Sequence, residues 1–342
     1  MDKQKTAFET ALRRRGKPID MRQLNRNCAW RLEMAQEHQN LAAQLRDSCT
    51  ELSACPICGS CVFGTFVHVY EYPYAECAEC GHIFMQTPPS EEALAALYSQ
   101  QSGEKCPQRT VYLENGLFEQ RVKAIALPKV EFCGEVIQPG GLWVDVGCGT
   151  GEVLTAARAS GWAVSGIETD SDEVDFGRAR GLDIRCLDAL SLGPAEIGDA
   201  KVLSLLNLLE HLRDPCGLLC RLAEMLPTGA CVVAETPRHP SLSSFVSCAF
   251  PHLAYRHIYP PEHLHVFTER SMEITLESAG LKPVAVWTFG QDFQDLVFAS
   301  ATNAGLDGSD FFDQIVQMST VAQQSIDDSG FSDVLFVVAE KT

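Results

Sequence analysis

Two matched cysteine pairs, a glycine-rich turn with a distant carboxylate, and two histidine-bearing segments carry the chemistry legible in these 342 residues. Cys55-Pro-Ile-Cys58-Gly59 and Cys77-Ala-Glu-Cys80-Gly81 each place two thiols on one tight turn, with eighteen residues between the pairs. The glycine after each pair relieves the backbone so that amides can point at sulfur. Two such turns make a closed tetrahedral site of four thiolates, the structural rather than the catalytic class of zinc site. Cys61 and His82 lie close enough to compete as ligands, but they break the matched spacing. The second constellation reads Val144-Asp-Val-Gly-Cys-Gly-Thr-Gly151, with Glu168 ending the next apolar run. Gly147, Gly149 and Gly151 permit a tight strand-to-helix turn that a ligand can approach closely. Glu168 can accept both hydroxyls of a ribose, so the pair specifies a nucleotide-like cofactor at the carboxyl ends of parallel strands. The third consists of Glu210-His211, following an apolar strand, and Glu262-His263-Leu-His265. Imidazole is the natural base near neutral pH.

Spacing separates the cofactor classes. A dinucleotide fingerprint, Gly-x-Gly-x-x-Gly, would need glycine where Glu152 stands, and a carboxylate there would face a pyrophosphate. With Asp145 in front, the stretch instead resembles motif I of the class I S-adenosylmethionine (SAM)-dependent methyltransferases. SAM has no phosphate, and its cationic groups favour nearby carboxylates. The resemblance implies a SAM site built from Asp145, Gly147, Cys148, Gly149, Gly151, Glu168 and Asn207, with Asp188 against the adenine. Asn207–Pro215 is similar to the motif after strand four of small-molecule methyltransferases. Pro260–Thr268 resembles a segment of zinc-ribbon methyltransferases acting on sugars and other metabolites, and of ubiquinone-type O-methyltransferases. The likeness covers roughly 51–342. It implies methyl transfer to a small-molecule acceptor, a sugar nucleotide, glycan or natural-product hydroxyl or carbon. His211 is the first candidate for the base, with Glu210 beside it and His263 second. Ubiquinone-type enzymes carry a further acid three residues before the Glu-His pair as part of a divalent-metal site. Asn207 stands there in this chain and is a poor partner for a hard cation.

These residues need a scaffold, and alternating strand and helix patterns supply one. Apolar runs at Leu142–Val146, Ala163–Ile167, Asp183–Cys186, Lys201–Leu206, Ala230–Glu235, Pro283–Thr288 and Asp333–Ala339 predict a doubly wound, mostly parallel sheet of seven strands. The fold class is therefore α/β and Rossmann-like, preceded by a small zinc ribbon and N-terminal helices. The expected organisation is a helical segment over 1–50, a four-cysteine ribbon over 51–87, linker and lead-in helices over 88–140, and the SAM-binding domain over 141–342. Leu24, Cys28, Leu32, Ala35, Ala42 and Leu45 fall near one face of the first helix, interrupted by His38 and Gln39. That face suits packing on the ribbon or a homodimer contact. Ser90 is the expected N-cap of a helix, Ser99–Gln108 a hinge, and 114–132 a helix leading into the sheet. Phe293–Ser329 reads as a helical insertion covering the site, and Phe250–Tyr259 suits a lid.

A formal charge of −18 disfavours nucleic acid and anionic membrane as partners, since both are bound through positive surface. Arg13–Arg15, the only basic run, reads as solvated surface. Fifteen cysteines without an apolar leader in Met1–Gly16 point to a reducing, cytoplasmic setting. Two rivals stay in view, an RNA methyltransferase and a non-catalytic zinc scaffold on a degenerate fold. The first lacks a basic, aromatic-interleaved stripe. The second predicts a damaged cofactor site, whereas Asp145, the glycines and Glu168 are all present.

Overall fold

The computed structural model describes residues 6–17, 28–100, 112–306 and 309–342. Its first strand, β1 (Leu12–Arg15), is a departure from expectation, because it lies in a segment read as helical and carries the arginines read as solvated. The cysteine-rich region forms β2 (Phe63–Val69), β3 (Tyr72–Cys77) and β4 (Ile83–Met85), an antiparallel meander. The larger sheet then takes β5 (Leu142–Val146), β6 (Ala163–Glu168), β7 (Ile184–Cys186), β8 (Ala200–Leu206) and β9 (Cys231–Pro237). A two-residue strand β10 (His265–Val266) follows, then β11 (Leu281–Phe289) and β12 (Val334–Lys341).

The larger sheet has eight strands in the order β1-β11-β12-β9-β8-β5-β6-β7. Seven of these are the expected ones. The eighth, β1, pairs parallel to β11, with Arg14 opposite Trp287. Its arginines are held rather than merely hydrated: Arg14 lies over the Phe132 and Trp287 rings, and Arg13 pairs with Glu269 at 2.6 Å. An aromatic face accepts a guanidinium well because its charge is delocalised and weakly hydrated. Strands β5 to β9 are mutually parallel, whereas β12 runs antiparallel to both β9 and β11. All seven residues of β9 are buried, as a strand covered on both faces requires.

The chain leaves β5 toward β6 on one side and returns through β8 on the other, so a crevice opens at their carboxyl ends. Three helical stretches face it. Cys28–Leu45 packs on its own chain through Met34, Ala35 and Ala42, so these apolar residues are spent within the molecule rather than at a dimer contact. Leu24 and most of the expected hinge lie outside the described residues. Glu91–Gln100 starts at Ser90 as expected, the serine hydroxyl accepting from Ala93 N–H. The expected lead-in helix is Asn115–Arg121 and Leu127–Gly134, joined by a π-helical turn over Val122–Ala126. No described helix is long and apolar enough to cross a membrane.

The insertion between β11 and β12 is helical, Asp292–Ala304, Asp310–Val316 and Ser319–Ser329, but it does not cover the crevice. It packs beside the Leu242–Ala249 helix, where Asp292 and Asp295 accept from the Ser243 backbone and hydroxyl. Buried carboxylates need such partners, together with Arg31 and Arg256, which pair with Asp295.

Candidate active site and four-cysteine centre

The glycine turn after β5 forms the floor of the crevice. Gly151, at φ +90°, opens the Glu152–Ala159 helix in the left-handed region; a side chain there would meet Leu182 Cδ1 at 2.3 Å. Glycine at this position therefore serves packing. Gly147 and Gly149 also hold positive φ. The Gly149 N–H donates to Glu168 Oε2 at 2.9 Å, while Glu168 Oε1 accepts from Thr169 N–H and Asp170 N–H. Loop amides thus orient this carboxylate at the mouth of the cleft. The Cys148 thiol packs with Leu154, Val174, Leu182 and Ile184, so its side chain faces the core.

Asp145, the penultimate residue of β5, is buried in a hydrogen-bonded network. Trp143 Nε1–H donates to Ser204 Oγ at 2.8 Å, and the serine hydroxyl donates to the Asp145 carboxylate. Burial pushes Asp145 up to about 7, against the pull of Ser204 and Lys129. Thr150 Oγ1, also lining the cleft, has no hydrogen-bond partner among the described residues. Two cavities, of about 660 and 640 Å³, meet at Gly147, Glu168 and Asn207. One runs past Leu187, Asp188 and Leu190; the other runs past Asp145 and Thr150 to the Cys28–Leu45 helix. Asp188 is exposed, its Oδ1 accepting from Leu190 N–H at 2.8 Å.

The loop after β8 carries the expected acid–base residues. Asn207 leaves the strand at φ +53°, a conformation asparagine tolerates, and its Nδ2–H donates to Glu235 Oε1 at 3.3 Å. Glu210, His211 and His263 come together, with potential ligand atoms all within 4.8 Å of one another. The His263 Nδ1–H donates to the His257 carbonyl at 2.9 Å, which leaves its Nε2 lone pair 4.0 Å from Glu210 Oε1. Neither Glu210 oxygen has a hydrogen-bond partner among the described residues, and burial raises this carboxyl well above the usual range. Burial thus favours its neutral form. Burial also lowers His211, opposed by the nearby Glu262, and lowers His263 well below the usual histidine value. Both imidazoles are neutral and able to accept a proton. His211 Nδ1 lies 2.9 Å from Tyr98 Oη, and His211 and Tyr98 line the same cavity.

Several contributors were missed by the sequence reading. Lys129, on the lead-in helix, pairs with the buried Glu235 of β9 at 2.7 Å and helps to hold Asn207 beside it. Removing one member of a buried pair of this kind costs about 3–5 kcal/mol. The Cys28–Leu45 helix sends His38 to the cavity wall, where Nδ1 lies 3.0 Å from Glu262 Oε2. Tyr259 stacks between His38 and His263, at 4.3 and 4.0 Å between ring centres. Tyr259, at the end of the segment read as a lid, is itself buried.

Cys55, Cys58, Cys77 and Cys80 converge at the tip of the meander, with Sγ···Sγ distances of 3.7 Å for Cys55–Cys80 and 3.5 Å for Cys58–Cys77. A tetrahedron with bonds of about 2.3 Å has edges of about 3.8 Å, so the four sulfurs fit a zinc ion closely. Cys61 is exposed and His82 is engaged with Ser271 and His265, so neither competes.

Residues 118–286 match the family profile described as a methyltransferase domain. No curated protein sequence matches the chain. Among solved structures, a mycolic acid cyclopropane synthase complexed with SAH aligns at 14% identity and a TM-score of 0.46, over 64% of this chain and 85% of that one. A geranyl diphosphate methyltransferase complexed with GPP and sinefungin aligns at 16% identity and a TM-score of 0.45, over 72% and 100%. Magnesium protoporphyrin IX methyltransferase from Synechocystis PCC 6803 with bound SAH aligns at 12% identity and a TM-score of 0.44, over 72% and 95%.

Proposed function

We propose that this chain is a class I SAM-dependent methyltransferase whose acceptor is a small molecule bearing a hydroxyl or an acidic carbon, deprotonated by His211. The observation that carries this reading is the Glu210–His211–His263 cluster at the end of β8, beside the cavity floored by the glycine turn. Glu168 would take the ribose hydroxyls, the Leu187–Leu190 wall with Asp188 the adenine, and Asp145 with Thr150 and Asn207 the amino-acid end. Bound SAM supplies an electrophilic methyl group on a sulfonium centre. The protein's task is to align an acceptor and to move one proton. A neutral His211, with Tyr98 Oη beside its Nδ1 and the Glu262 backbone against the ring, can take that proton. His38 and Glu262 suit hydroxyl groups further out, which favours a sugar, sugar nucleotide, glycan or polyhydroxylated natural product as the acceptor. The overall charge of −18 weighs against the RNA methyltransferase reading, and the ordered glycine turn weighs against a degenerate scaffold.

Calorimetric titration with SAM, SAH and NAD tests the cofactor half of this proposal. Micromolar binding of the first two, without NAD, is expected; binding of NAD alone would sink it. The pH dependence is diagnostic. Asp145, held at about 7, is mostly protonated at pH 6 and ionised by pH 8. Only the ionised form attracts the cofactor's ammonium group, so SAM affinity is expected to rise as pH climbs from 6 to about 7.5. It should level off or fall once an α-amino group loses its proton near pH 8. In Asp145→Asn this rise should vanish.

The four thiolates are proposed to hold zinc in a structural role. With no open position, the ion would leave chemistry to the histidines. Metal analysis of the purified chain is expected to find about one zinc per molecule; iron, or no metal, would overturn the assignment.

A further inference from the structure

The ribbon and the acid–base loop share hydrogen bonds that neither needs for its own fold. Strand β10 joins the ribbon sheet rather than the large one, with His265 opposite Phe84 and Val266 opposite Ile83. The Met85 N–H donates to the Leu264 carbonyl at 2.8 Å, and the Leu264 N–H donates to the Glu210 carbonyl at 2.7 Å. One residue therefore clamps β4 to the acid of the cluster. Tyr74 of β3 donates its hydroxyl to the His263 carbonyl at 2.7 Å, and Thr268 donates to the Cys80 carbonyl at 2.7 Å.

A side-chain relay runs alongside. His82 follows the second cysteine turn directly, and its carbonyl accepts from Cys77 N–H at 2.9 Å. The His82 Nε2 lies 3.1 Å from His265 Nδ1, and His265 Nε2 lies 2.8 Å from the Leu212 carbonyl. A carbonyl can only accept, so His265 carries its proton on Nε2 and presents a lone pair at Nδ1. His82 must then donate from Nε2 and accept at Nδ1, which Ser271 Oγ approaches at 3.2 Å. All three groups are buried, so each link must be made within the protein. The relay ends on the residue after His211.

We propose that His82 and His265 are positioning residues, through which the four-cysteine centre sets the placement of His211 and Glu210. This rests on the reading of His211 as the base. The coupling is reciprocal, as any equilibrium linkage must be, so order at the acid–base loop also supports the cysteine centre.

The test compares the wild-type chain with His82→Leu, which fills the space without a donor, and His82→Gln, whose amide keeps a donor and an acceptor. The readouts are amide hydrogen exchange across the chain, the NMR titration of the His211 ring, zinc content and SAM affinity. In His82→Leu, exchange over 210–212 and 264–266 is expected to quicken about tenfold, and the His211 titration to move up toward the ordinary histidine value. SAM affinity should stay within about twofold, because Glu168 and Gly149 lie on other loops, and His82→Gln should restore both readouts. Chelating the metal from the wild-type chain should quicken the same amides. Unchanged exchange and an unchanged His211 titration in His82→Leu would overturn the proposal. So would faster exchange spread equally over β5, β8 and β9, since the effect would then belong to the whole fold. A wild-type chain that binds no SAM would sink the cofactor assignment and leave the exchange result standing.

Discussion

His211→Ala is expected to bind SAM as tightly as the wild-type chain and to transfer its methyl group about 10²–10⁴-fold more slowly, the range that a positioned general base contributes. The assay is release of SAH with a sugar nucleotide or phenolic acceptor, beside a calorimetric titration of the cofactor. The two readouts separate because His211 lies after β8, whereas the carboxylate assigned to the ribose ends β6. With SAM saturating, so that the Asp145 titration does not enter, the wild-type rate should stay flat from pH 8 to about 6.5, since burial lowers His211. It should fall only as the imidazole gains a proton below its ordinary value. Tyr98→Phe should raise the acceptor KM and slow turnover less than His211→Ala, because it removes an orienting partner rather than the base. Full activity in His211→Ala would transfer the role to His263.

Gly149→Val is the second large effect. An ideal Cβ at Gly149 would have Glu173 Oε2 as its nearest neighbour, at 3.5 Å, which is an ordinary contact. The fold therefore has room for a Cβ, and the left-handed backbone at φ +54° adds a strain of about 1–2 kcal/mol or more for a β-branched residue. The added methyls would occupy the space over the loop where the cofactor must approach. SAM affinity is expected to drop about a hundredfold, or roughly 3 kcal/mol, with zinc content unchanged and a melting temperature only a few degrees lower. Gly151→Val should do the reverse, since its side chain would meet Leu182. It should destabilise the chain first. Equal SAM affinity in Gly149→Val would remove the glycine turn from the account.

Much of this arrangement is legible in residue order because it is local. Paired Cys-x2-Cys turns, a β-branched run followed by glycines and an acid at the end of the next strand each fit within a few tens of residues. The seven strands were likewise readable from apolar runs bounded by turn residues. What escaped reading depends on partners hundreds of residues apart. Leu12–Arg15 has no apolar pattern of its own and becomes a strand only because β11 offers an edge lined by Trp287. Lys129 and Glu235 look like isolated charges in apolar segments until the sheet brings them to 2.7 Å. His38 did leave a trace, since it interrupts an otherwise apolar helical face. That interruption marks the point where the helix meets Glu262 and the cavity. The insertion near residues 293–329 was misplaced because length alone suggested a cover, whereas its acids find Arg31, Arg256 and Ser243 as partners.

Placing β10 in the ribbon sheet has a consequence for the chain as it is made. The cysteine turns and β2–β4 are complete once residue 85 has been synthesised, and metal can seal them early. The free edge of β4, whose residues Ile83, Phe84 and Met85 are all apolar, stays unpaired until His265 and Val266 arrive. About 180 residues separate the two, which at ordinary synthesis speeds is roughly 10–40 s. During that interval the nascent ribbon presents an unpaired strand edge, and with it a binding surface for a chaperone or a hazard of pairing with a neighbouring nascent chain.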